Sequence, residues 1–234
     1  MNFAKKTLLA TAMTMLAASS ASALQFKMPS LSGKSSADTN AAATDQAGGD
    51  PAVAQDSLVK AFVSSQLEVV AAQRELALAY DLKDQAAILE SEQKTLSSGG
   101  TLEASALQTS MERSEAANQA IAAKQAEQGT LSAQGKEHYA NSLPHFARGV
   151  VGTRNVITQV THFTSSMKSS MTGGGLAGLG AGTTKLKAGY VVAKGTPAYS
   201  KSVFDMFRKT MSIGQSNGVK APADATAALG GLAP

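Results

Sequence analysis

The stretch that decides the fold is Asp50–Tyr80, DPAVAQDSLVKAFVSSQLEVVAAQRELALAY. An acidic residue followed at once by proline is a helix start. The carboxylate can accept from a free backbone N–H of the first turn, and Pro51 has no N–H to lose and a preset φ. From Pro51 to Leu96 there is no further Pro or Gly, and Leu58, Phe62, Val69, Leu76 and Tyr80 fall near a spacing of three or four. The pattern predicts one helix of about 46 residues, about 69 Å long at 1.5 Å per residue.

Ser97-Ser98-Gly99-Gly100 stops that helix, and Leu102, Leu107, Met111 and Ile121 then outline a second, thinner apolar stripe filled in by Ala104, Ala106, Ala117, Ala120 and Ala122. So short a connection implies an antiparallel hairpin. Small side chains let helix axes approach but bury little each, so the second helix must borrow stability from its neighbour. Gly129 and Gly135 are expected to interrupt it. A third element runs from Leu131 to Met171 with Pro144 either kinking it or opening a fresh helix. Its stripe is Phe146, Val150, Ile157, Val160, Thr164, Met167 and Met171.

Leu186–Ala193 is ambiguous between helix and strand, because Tyr190-Val191-Val192 favours strand locally. Thr196-Pro197 reads as another cap-plus-proline start, followed by an amphipathic face of Val203, Phe204, Phe207 and Met211. The expected fold is all-α: an elongated antiparallel hairpin or bundle of three or four helices over residues 51–214. It is flanked by a disordered linker at 24–50 and a disordered tail at 215–234, both rich in Ser, Gly, Ala and Pro and poor in large apolar residues.

The N-terminus, MNFAKKTLLATAMTMLAASSASA, has two lysines, an uncharged run from Thr7 to Ala18 and the small residues Ala21-Ser22-Ala23. That is the pattern of a signal peptide over residues 1–23, cleaved after Ala23. Its apolar run of about 12 residues is too short to span a bilayer, so the expected destination is the periplasm or the exterior. There is no cysteine, which removes disulfides, lipid-modified cysteine and thiol chemistry together.

Charge is unevenly placed. Residues 24–137 carry 9 basic and 15 acidic residues, whereas 138–234 carry 10 basic and 2 acidic. Either the two halves lie together and partly neutralise, or Lys185, Lys187, Lys194, Lys201, Arg208 and Lys209 form a surface for an anionic partner. Lipid headgroups or a glycan fit an exported chain. Nucleic acid is the least expected partner, since no stacking-aromatic motif accompanies the lysines.

The glycine-rich segment 172–184 is neither a Walker loop, since no glycine sits five residues before a Gly-Lys-Ser/Thr triple, nor a dinucleotide fingerprint, since Thr183 stands where a third small residue is needed. It leaves a hinge between helices, which is the expectation, or a surface for close contact through Gly174, Gly178 and Gly182. His138, His145 and His162 lack metal-ligand spacing, and Glu90 and Glu92 project from different helix faces. No catalytic residue, cofactor or metal is therefore assigned. The sequence predicts a non-enzymatic helical binding or scaffold protein of the bacterial cell envelope, with an unidentified protein partner and homo-oligomers through helix pairing both open. A lipid-surface-binding protein using the glycine-rich segment and the basic C-terminal helix is the alternative.

Overall fold

The computed structural model describes residues 49–99, 102–173 and 186–232. The signal-peptide segment, residues 24–48 of the linker, the glycine-rich segment from 174 and Lys185 lie outside the described residues. Those described are all-helical, without a strand. They form α1 (Pro51–Ala79), α2 (Lys83–Ser97), α3 (Ala104–Glu127), α4 (Ala133–Gly173), α5 (Lys187–Ser216) and α6 (Ala223–Gly230).

Helix α1 begins as its sequence requires, with Asp50 Oδ1 accepting from Ala52 N at 2.9 Å and Pro51 in the first turn. It does not run to Leu96. The helix turns back at Tyr80–Leu82, where Asp81 adopts φ 56° and the N–H of Leu82 closes onto Ala77 O at 2.8 Å while that of Asp81 closes onto Leu78 O at 3.1 Å. This paired closure needs a left-handed residue just past the helix, usually glycine; aspartate is among the few others that tolerate it. A helix end without Gly or Pro is why the pattern predicts one long helix where there are two.

The six helices exceed the three or four expected, and their directions differ too. Gln66 meets Ser110, and Gln73 meets Ser114 and Asn118, so α3 runs parallel to α1. The antiparallel neighbours of α1 are α2 and, most extensively, α4. α1 also touches α3 and α5 and lies at the centre: Leu58, Phe62, Val69 and Leu76, its predicted stripe, are wholly buried, and so are Gln66 and Gln73.

Those two glutamines, one heptad apart, fix the register of α3. Gln66 Nε2 donates to Ser110 O and Oγ at 3.1 Å, and Gln73 Nε2 donates to Ser114 O at 2.9 Å and Asn118 Oδ1 at 2.8 Å. Tyr199 of α5 donates its hydroxyl proton to Gln66 Oε1. Any slip of α3 leaves these groups buried without partners, at a cost of about 1–3 kcal/mol each.

The α1–α4 crossing is close because glycine permits it. A Cβ at Gly149 would stand 2.7 Å from Val69 Cγ2, and one at Gly152 would stand 2.9 Å from Ser65 Cβ. Ser65 uses the proximity, donating to Gly149 O at 3.0 Å and meeting Thr153 Oγ1 at 3.0 Å.

Gly129 lies between α3 and α4, as expected, whereas Gly135 sits in the first turn of α4. α4 continues through Pro144 and α5 through Pro197. The ambiguous Leu186–Ala193 is helical from Lys187: Val192 is fully buried and Gly189 N–H donates to Gln55 Oε1 at 2.9 Å, so tertiary burial overrides the local strand preference. The tail is ordered as well. α6 lays Ala225 and Ala228 against α4, held by Arg154 Nη2 donating to Ala228 O at 3.3 Å and Arg208 Nη2 to Leu232 O at 2.6 Å. Two alanines three residues apart make a usable face where α4 approaches, although by composition they resemble linker.

Two of the three histidines join α4 to α1. His138 Nδ1 lies 2.8 Å from Glu75 Oε2 and His145 Nδ1 lies 2.7 Å from Glu68 Oε2, with Arg148 Nε 3.1 Å from the same oxygen. His162 is exposed, not packed between helices. Partial burial raises the Glu68 pKa, but hydrogen bonds from Arg148 and His145 outweigh it and hold the carboxyl below its ordinary 4.5. A depressed carboxylate pKa stabilises the fold above the unfolded-state value, and that contribution is lost as pH falls through the folded one. The melting temperature of Glu68→Gln should therefore lie below wild type near pH 5.5 and converge on it in acid, as pH falls well below the ordinary 4.5. The difference should be modest, since exposed pairs contribute up to about 1 kcal/mol; equal melting at both pH values would show the pair to be idle.

Candidate binding groove

Helices α3 and α5 meet where Gly195 admits Met111: a Cβ there would lie 2.7 Å from the Met111 sulfur. On either side of this crossing they diverge around a groove of about 910 Å³, which runs from Gln108 to Ala122 on α3 and from Tyr190 to Lys209 on α5. Its floor is Met111, Ala122, Val191, Ala198, Tyr199 and Met206. The volume falls within the range of small-ligand clefts, about 300–1,000 Å³, and Ser114, Asn118 and Ser202 stand among the apolar side chains of the lining.

The rims carry opposite charge. α3 contributes Glu112 and Glu115, and α5 contributes Lys194, Lys201 and Lys209 together with Asp205. Several of these are already engaged. Lys201 pairs with Asp205, whose carboxyl that hydrogen bond holds below the ordinary range. Glu115 accepts from Ser202 and Gln119, and Lys209 Nζ reaches Ala122 O at 3.4 Å. Lys194 and Glu112 stand at the level of the Gly195–Met111 crossing on opposite lips, and neither takes part in an ion pair among the described residues. The floor is chemically quiet: burial raises the Tyr199 pKa far above its ordinary value, so its hydroxyl keeps the proton it donates to Gln66.

Of the six cations singled out in the sequence, Lys185 lies outside the described residues. Lys187, Lys194, Lys201 and Arg208 are seven residues apart and follow one face of α5 over about 32 Å. The structure brings Lys194, Lys201 and Lys209 to the groove. Lys187 stands at the first residue of α5, and Arg208 turns to α6 through its bond to Leu232 O and to Asp205 Oδ1 at 3.3 Å. Among the described residues the two halves meet through α4, where Arg148 pairs with Glu68 and His145 and His138 hydrogen-bond to Glu68 and Glu75.

The floor residues and Glu112 and Glu115 were not legible as a site. They come from two helices about eighty residues apart in sequence, and only the basic residues of α5 were singled out in advance. Among the described residues no three His, Asp or Glu side chains gather as a metal site, and no helix is long and apolar enough to cross a membrane. The chain matches no protein-family model, no curated protein and no solved structure.

Proposed function

We propose that this is an exported, non-enzymatic binding protein of the bacterial cell envelope, whose α3–α5 groove holds a single-chain amphiphile with an anionic head. The observation that carries the reading is the groove itself, an apolar trough edged by Lys194, Lys201 and Lys209. The groove follows α3 for fourteen residue steps, about 21 Å, a length that suits an extended apolar chain. Lys194, without an internal counter-charge, is the group for the acidic head.

Export rests on the signal-peptide pattern of residues 1–23, with the periplasm or the exterior as destination. The test is titration of a dansyl-labelled fatty acid, followed by its fluorescence. Wild type should bind, and Ala198→Trp, which fills the floor from an exposed helix position, should weaken binding at least about tenfold, or 1.4 kcal/mol, with unchanged circular dichroism. Equal affinity in the two proteins would remove the groove as the site.

A further inference from the structure

We infer that the end of the domain built by the second half of α4 and the start of α5 docks on an anionic lipid bilayer. Three independent features meet there.

The first is charge. Residues 138–204 contain no Asp or Glu, and the exposed Lys168, Lys187 and Lys194 at this end form no ion pair among the described residues. The start of α1 reaches the same end through the Gln55–Gly189 bond and brings two carboxylates, Asp50 and Asp56. Against these two carboxylates the three lysines leave the end with a net charge of +1.

The second is apolar exposure. A cavity of about 430 Å³ between α4 and α5 is lined by Val160, Phe163, Met167, Met171, Tyr190 and Ala193. Met171 is 55% exposed and Tyr190 60% exposed. Methionine is unbranched and adapts to irregular apolar surroundings, and tyrosine suits a boundary with one wet and one dry side. Lysines around such side chains are the pattern of a segment that lies on an anionic interface, the ammonium groups at the phosphates and the apolar atoms below them.

The third is continuity. Tyr190 and Lys194 line both this cavity and the α3–α5 groove, so a bilayer at this end would adjoin the groove mouth. The docking face does not depend on what the groove holds.

The experiment is co-sedimentation of the full exported chain with vesicles of phosphatidylglycerol and phosphatidylcholine, against vesicles of phosphatidylcholine alone. Wild type should pellet with the anionic vesicles only. Lys168→Glu with Lys187→Glu should weaken binding at least about thirtyfold, since each lysine near such a surface contributes about fivefold. Met171→Glu should weaken it about tenfold, and Val151→Glu, at an exposed position elsewhere on α4, should not change it. None of these residues lines the groove, so fatty-acid binding should survive in all of them, whereas Ala198→Trp should lose the fatty acid and keep the vesicles. Wild type failing to pellet, pelleting equally with neutral vesicles, or pelleting undiminished in both the lysine and Met171 variants would each overturn the docking face. Failure of fatty-acid binding alone would overturn only the groove reading.

Discussion

Phe62→Asp combined with Leu76→Asp is expected to unfold the domain at room temperature. Both side chains are wholly buried in α1 and belong to one core cluster with residues of α3, α4 and α5. Each substitution removes a large apolar group, costing about 2–5 kcal/mol, and installs a carboxylate that must ionise unpaired or take up a proton, at several kcal/mol more. The sum exceeds the 5–15 kcal/mol that folded domains have in total, or consumes most of it. Loss of the helical signal at 222 nm in the double variant is the readout. A cooperative melt like that of wild type would mean that α1 is not the centre of the domain.

Gly149→Val should lower the melting temperature by roughly 10 °C without preventing folding. Its first carbon alone would meet Val69 Cγ2 at 2.7 Å and the Val69 backbone nitrogen at 3.2 Å, so α1 and α4 must separate. Separation also stretches the bond that Ser65 donates to Gly149 O and the hydroxyl contact between Ser65 and Thr153, each 3.0 Å long. Overpacking typically costs 1–3 kcal/mol, and the lost bonds add about 1 kcal/mol apiece; at about 2–4 °C per kcal/mol for a domain of this size, a shift of that order follows. Gly129→Ala is the control. A Cβ there meets nothing within 4 Å, so its melting should match wild type or exceed it. Parallel melting of the two variants would mean that the close crossing carries no stability.

What could be read in advance depended on how local the cause was. The start of α1 and its buried stripe follow from Asp50, Pro51 and the spacing of four large side chains. The turn at Tyr80–Leu82 escaped because Asp81 does there what glycine usually does. In α4 the predicted stripe was right at Phe146 and Val150 but drifted: Val156 and Phe163 are buried, while Ile157 is 41% exposed and Met171 55% exposed. A 3.6-residue period and a heptad part company over 41 residues, and only the neighbouring helices decide which is followed. The basic set was legible in part because five of its six members, Lys187, Lys194, Lys201, Arg208 and Lys209, share α5. The groove was not, because its other wall is α3, whose parallel course beside α1 depends on a return by α2 that the composition does not announce.

The central place of α1 also sets a schedule. Its side chains wait for partners that come much later in the chain: Ser65 bonds to Gly149 across 84 residues, and Gln55 to Gly189 across 134. At 5–20 residues per second, about 7–27 s separate the synthesis of Gln55 from that of Gly189. Until α4 has been made α1 has only α2 and α3 to cover it, and its face for α5 stays open to the end of the interval. A chain proposed for export is thereby kept threadable while it is being made, and its core closes only when nearly all of it has arrived.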